Sequence, residues 1–123
     1  MLPSDITNKR IEQKALRLKE LFETGNIFVL LEKMRISFVP TGSQPLFKTA
    51  QAVTVYDENA DKYTIICKTC SRADFYAAHE LGHIVLGHFS GSLTSPQKIE
   101  ANEIAANFFA ACFLKNPNQD PRV

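Results

Sequence analysis

Phe75-Tyr76-Ala77-Ala78-His79-Glu80-Leu81-Gly82-His83-Ile84-Val85-Leu86-Gly87-His88-Phe89 contains all three histidines of the chain. His79 and His83 are four residues apart. On a helix of about 3.6 residues per turn they stand one above the other on a single face, where two imidazoles can grip one metal ion. Glu80 follows His79 and borders the same stripe, so its carboxylate can reach a water beside the ion without being a ligand. This is the H-E-x-x-H pattern of zinc hydrolases. Ala77, Ala78, Leu81, Ile84, Val85 and Leu86 make the helix apolar nearly all round, which predicts burial, and a buried histidine pair beside a carboxylate needs partners.

Catalytic zinc usually keeps three protein ligands and one open position. His88 does not supply the third: in H-E-x-x-H-x-x-G-x-x-H the last histidine falls six residues after the second, whereas His88 falls five after His83. The better candidate lies in the apolar segment Glu100-Ala101-Asn102-Glu103-Ile104-Ala105-Ala106-Asn107-Phe108-Phe109-Ala110-Ala111, which reads as a core helix. A carboxylate there needs a charge partner. Glu103 is placed deep in the segment, and Asn107, one turn on, can accept the proton of a ligand histidine's second nitrogen and so fix its tautomer. Glu100 is the competing choice.

Ala78-His79-Glu80-Leu81-Gly82-His83, Leu86-Gly87-His88, and Glu103 followed by Ala106-Asn107-Phe108-Phe109-Ala110 resemble the ImmA/IrrE family of metallopeptidases, over roughly residues 5 to 115. Phe113-Leu114-Lys115-Asn116-Pro117 stands where that family often carries a Leu-Leu-Met-Pro-like stretch. The resemblance implies Zn2+ on His79, His83 and Glu103, a gluzincin-like ligand set, with Glu80 catalytic. It also implies a partner: a helix-turn-helix repressor of a prophage, mobile element or stress response, inactivated by cleavage or by binding. The expected chemistry is metal-assisted peptide hydrolysis in which Glu80 takes a proton from water and returns it to the leaving amine. His88, Tyr76 or Tyr56 can donate to the oxyanion, and His88 can equally cap its own helix end. The alternative of a different class is a non-proteolytic, metal-stabilised anti-repressor that sequesters its partner. A purely structural ion has no use for Glu80 next to the ligands.

The rest of the chain sets the frame. A length of 123 residues fits one domain spanning residues 1–123, with 116–123 expected to fray. Hydrophobic content of 45% and charged content of 22% are ordinary for a globular protein. The net charge of +1 offers no electrostatic footprint for nucleic acid or an anionic membrane. Met1-Leu2-Pro3-Ser4-Asp5 lacks a signal-peptide pattern and no stretch reaches membrane-spanning length. Three cysteines without regular spacing fit a reduced cytoplasm. The oligomeric state is left open.

The fold class expected is α+β, with about four helices and a small antiparallel three-stranded sheet around a zincin-like core. A first helix, capped by Ser4 or Asp5, runs to about Glu23 on Ile6, Ile11, Ala15, Leu18 and Phe22, and Thr24-Gly25 stops it. Asn26 caps a short apolar helix from Ile27 to Arg35. Ile36-Ser37-Phe38-Val39, ended by Pro40, Val53-Thr54-Val55-Tyr56 and Tyr63-Thr64-Ile65-Ile66 read as strands, with a turn-rich loop Thr41-Gly42-Ser43-Gln44-Pro45 after the first. The second or third strand can align an extended substrate by backbone pairing. Cys67-Lys68-Thr69-Cys70 reads first as a structural turn, second as a redox or regulatory thiol pair and last as a second metal site, and Cys112 as a small buried hydrophobe. Ser71 or Asp74 caps the histidine helix. Arg72 is expected in solvent or beside an acidic neighbour. Gly82 inside that helix costs about 1 kcal/mol against alanine, which predicts close approach of the Glu103 helix. The loop Ser90-Gly91-Ser92-Leu93-Thr94-Ser95 leads to Pro96 as a first helical residue, capped by Ser95.

Overall fold

A computed structural model describes residues 5–42, 51–88 and 96–115. The expectations for Ser4, Ser43-Gln44-Pro45, Ser95, the loop 90–95 and the tail 116–123 lie outside these residues, as do those for the side chains of Asp5, Ile6 and Pro96. The elements in chain order are α1 (Asp5–Phe22), α2 (Ile27–Lys33), β1 (Ser37–Thr41), β2 (Ala52–Asp57), β3 (Lys62–Lys68), α3 (Ala73–Val85) and α4 (Pro96–Leu114). The architecture is α+β. Among the described residues, no helix is long and apolar enough to cross a membrane.

The helices form where apolar residues recur at helical spacing. Ile11 and Ala15 of α1 are buried, with Leu18 and Phe22 packed beside them. In α4, Ala106, Phe109, Ala110 and Phe113 are fully buried at intervals of three and four. Asn26 caps α2 as expected: its side-chain oxygen accepts the N–H groups of Phe28 at 2.9 Å and Val29 at 3.3 Å. Phe28 is 40% exposed, however, and meets Phe38 edge to face with ring centroids 5.1 Å apart.

The helix ends follow one plan that the glycines alone do not reveal. In α1, Glu23 takes φ 54°, the Glu23 N–H bonds Glu20 O and the Thr24 N–H bonds Lys19 O. In α2, Arg35 takes φ 61°, with Arg35 N–H to Glu32 O and Ile36 N–H to Leu31 O. Both are Schellman motifs built on a non-glycine residue in the left-handed region. The expected stop at Thr24-Gly25 is therefore made one residue earlier, by Glu23. In α3, Gly87 takes φ 75°, and its N–H bonds Ile84 O while the His88 N–H bonds His83 O. Here the left-handed position does carry glycine, which adopts it without a Cβ clash.

The sheet is mixed, a correction to the all-antiparallel expectation. Its order is β1-β3-β2, with β2 antiparallel to β3 and β1 parallel to it. The β2–β3 hairpin is local, and Asp57 nucleates its turn by accepting the N–H groups of Asn59 and Ala60. β1 lies instead on the far side of β3 and runs opposite to β2, so it pairs with β3 in parallel. Pro40 belongs to β1 rather than ending it, opposite Cys67. An edge strand tolerates a missing N–H. Cys67 likewise lies inside β3 and is buried like Ile65, two residues away on the same face.

α3 stands at the centre, in contact with α4, α2, β2 and β3, while α1 packs on α4. Leu81, Ala77 and Ala78 of α3 join Ile65, Leu30, Leu31, Phe109 and Phe113 in one core. Gly82 is the crossing point. A Cβ there would lie 3.1 Å from Phe109 Cδ1 and 3.2 Å from Ala106 Cα, so its absence lets α4 approach, as the sequence predicts.

Candidate metal centre

The α3–α4 crossing sets one polar cluster into an otherwise apolar contact. His79 and His83, one turn apart on α3, bring their Nε2 atoms to 3.1 Å with the rings nearly perpendicular. Glu103 of α4 reaches both. Its Oε2 lies 2.8 Å from His79 Nε2 and its Oε1 3.4 Å from His83 Nε2. Among the described residues these three form a group whose ligand atoms all fall within 4.8 Å of one another. Glu100 is exposed and does not join it.

The donor set fits a divalent cation. Zinc holds nitrogen and oxygen ligands at about 2.0–2.2 Å in a tetrahedron, so neighbouring donors belong roughly 3.3 Å apart, close to the three separations here. The protons agree. His79 Nδ1 lies 2.7 Å from Asn107 Oδ1, and since an amide oxygen only accepts, Nδ1 carries a proton and Nε2 is the nitrogen turned towards the cluster. Burial, and then the neighbouring His79, hold His83 well below the usual imidazole range, in its neutral form. Two imidazole nitrogens and a carboxylate converging on one point suit a cation between them.

One expectation about this centre is corrected. Glu103 is not buried in the apolar stretch: its side chain is 53% exposed, against 12% for each histidine. Ala106, Phe109, Ala110 and Phe113 define the core stripe of α4, and Glu103 and Asn107 stand at its border, where the helix surface opens to solvent.

Glu80 is the buried charge. It is 8% exposed, and its Oε2 lies 3.9 Å from His79 Nε2. The other oxygen is held from the sheet, where the Thr54 hydroxyl of β2 donates to Oε1 at 2.6 Å. Burial raises the carboxyl above its usual range, while the Thr54 bond and His79 act the other way. No sequence signal marks Thr54, because a threonine on a half-buried strand is ordinary β-propensity.

The remaining candidates fall outside the ligand set. His88 brings its Nδ1 to 2.8 Å from His83 Nδ1, the nitrogen of that ring turned away from the cluster. Tyr76 lies with its ring against Phe75, and the Tyr56 hydroxyl donates to Asp61 at 2.5 Å. Phe75 in turn stacks on His79 and carries Arg72, solvent-exposed as expected, 5.2 Å from its ring centroid. Neither Ser71 nor Asp74 is the N-cap of α3; Arg72 holds that position without a side-chain bond, and Asp74 accepts the Phe75 N–H instead. The three cysteines are free. Burial pushes the Cys67 thiol up to about 11, whereas Cys70 is exposed. A cavity of about 770 Å³ between α2, β1 and the start of β3, lined by Phe28, Leu31, Arg35, Phe38 and Asp61 among others, contains none of the cluster residues.

Residues 51–116 match the profile of a peptidase family described as IrrE N-terminal-like domain. The matched stretch runs from the edge strand β2 through both helices of the cluster. A search of the curated proteins gives no significant match.

Proposed function

The chain belongs to the ImmA/IrrE peptidase family, and from that premise we propose that it is a zinc-dependent endopeptidase that inactivates a helix-turn-helix repressor by cutting it at one site. One observation carries the reading: the donors of His79, His83 and Glu103 converge beside Glu80, a buried carboxylate that ligates nothing in the cluster. A divalent ion held by the three would lower the pKa of water towards about 7 and polarise a peptide carbonyl.

The chain's own groups do the rest. Thr54 fixes Glu80 Oε1, which leaves Oε2 as the base that takes the proton of the attacking water. The same oxygen returns it to the amide nitrogen as the C–N bond breaks, and the second proton of the water passes from the new carboxyl to the amine, giving a carboxylate and an ammonium group. Asn107 holds His79 in the tautomer that presents Nε2. β2 is the edge of the sheet nearest this centre, and its outer side is unpaired among the described residues. An extended substrate adding there as a strand would run past Glu80. β3, the other strand considered, is paired on both sides and is not available.

The test is co-expression with the repressor encoded nearest this gene, with wild type compared to Glu80→Gln by intact-mass analysis. Repressor fragments should appear with wild type and fall by about 10²–10⁴-fold in rate with the variant, while zinc content stays the same. Intact repressor that co-purifies with both proteins would instead establish sequestration without cleavage.

A further inference from the structure

The Schellman motif that ends α3 places His83 and His88 at the two positions whose side chains meet across such a cap. In α2 the equivalent pair is Leu31 and Ile36, both buried and apolar. In α3 the pair is two imidazoles. Gly87 at φ 75° turns the chain back, the His88 N–H bonds His83 O at 3.0 Å, and the His88 ring arrives with its Nδ1 2.8 Å from His83 Nδ1, the ring centroids 5.1 Å apart.

We propose that His88 is a positioning residue for the metal centre: its unprotonated Nδ1 accepts the Nδ1–H of His83, fixes that ring's tautomer and rotation, and so presents His83 Nε2 beside His79 and Glu103. The inference rests on the metal reading above, because that reading decides which imidazole donates. Were His88 the donor, the neutral His83 ring would carry its proton on Nε2 and have no lone pair for an ion. The arrangement parallels Asn107 on His79. Each ligand histidine thus has its outer nitrogen held, one from α4 and one from the cap of its own helix. An acceptor of this kind is worth about 10–100-fold in metal affinity.

The test uses the full chain and Zn2+ in competition with a chelating dye. His88→Ala should weaken zinc binding by about 10–100-fold. His88→Asn, whose amide oxygen falls where Nδ1 was, should return to within a few-fold of wild type; His88→Gln, which reaches instead towards the Nε2 position, should not. Thermal unfolding of the metal-free variants checks that each folds. In zinc-loaded wild type, long-range proton–nitrogen NMR should find His83 protonated at Nδ1 and His88 unprotonated there. Wild-type affinity in His88→Ala overturns the proposal, even with hydrolysis lost, as does an Asn variant no better than Ala or a proton on His88 Nδ1. A wild-type protein that takes up no zinc would overturn the metal reading itself.

Discussion

Thr54 and Glu80 show how much one hydrogen bond can matter at this centre. A donor to an ionised, buried carboxylate is worth about 1.5–3 kcal/mol, more than a neutral pair. Thr54→Val removes the 2.6 Å bond and keeps the shape of the side chain. It should lower kcat by about tenfold or more and leave zinc affinity at the wild-type value, since Thr54 touches no ligand; a parallel loss of zinc would mean that it acts through the metal site. Tyr56 gives a second residue-scale test, away from the ion. Its hydroxyl donates to Asp61, which keeps the proton on and pushes the phenol from about 10 up to about 12. The folded protein therefore retains between those values a proton that the unfolded chain releases, so the contact's contribution is full below about pH 10 and is lost as pH rises through about 12. Asp61→Asn should move the ultraviolet titration of this phenol back towards pH 10, and an unchanged titration would remove Asp61 as the cause. Neither contact was legible in the sequence. Both join residues brought together by the β2–β3 hairpin and its packing on α3, and Thr54, Tyr56 and Asp61 belong to no motif.

At the scale of elements, Gly82 is where the chain gave its clearest instruction. Alanine there would gain about 1 kcal/mol of helix propensity, but its Cβ would press on Phe109 and on the backbone Cα of Ala106 at 3.1–3.2 Å. Backbone cannot swing aside as a side-chain tip can, so α4 must shift, and overpacking of this kind costs about 1–3 kcal/mol. Because Glu103 and Asn107 flank Ala106 on α4, the shift also moves a ligand and the acceptor of His79. Gly82→Ala should lower both the denaturation midpoint and zinc affinity; a more stable protein with unchanged affinity would show that the crossing has slack. The H-E-x-x-H face, the Asn107 partnership and this close approach could be read from sequence because each depends on spacing within a helix or on the missing Cβ of one residue. The parallel pairing of β1 could not, since strand order is set by a crossover that local alternation does not encode. Nor could the ends of α1 and α2, where Glu23 and Arg35 occupy left-handed positions that a reader assigns to glycine. Apolar content alone places Glu103 too deep, whereas its exposure follows from its angle to the Ala106–Phe113 stripe.

For the molecule as a whole, the cluster is a joint between two sets of packing contacts. α3 carries two of the candidate ligands and packs against α2 and the sheet; α4 carries the third and packs against α1. An ion held at the crossing would tie these sets together, since the His79 and His83 Nε2 atoms and the Glu103 carboxylate face each other there at 2.8–3.4 Å. An ion that binds only the folded chain stabilises it by about 2.7 kcal/mol when present at 100 times its Kd. For a chain of this size that is a rise in Tm of roughly 10 °C. Melting with and without a chelator should show this difference in wild type and in Glu100→Ala, whose side chain lies outside the cluster. In His79→Ala and Glu103→Ala the chelator should change Tm little, because the loss of one of three ligands leaves a site that competes poorly with it. The comparison separates the two glutamates cleanly: both are exposed residues on the same helix, so a general effect of removing negative charge from α4 would lower the chelator response equally in both variants. Equal responses would take Glu103 out of the site, and the third ligand would then have to be sought beyond the described residues.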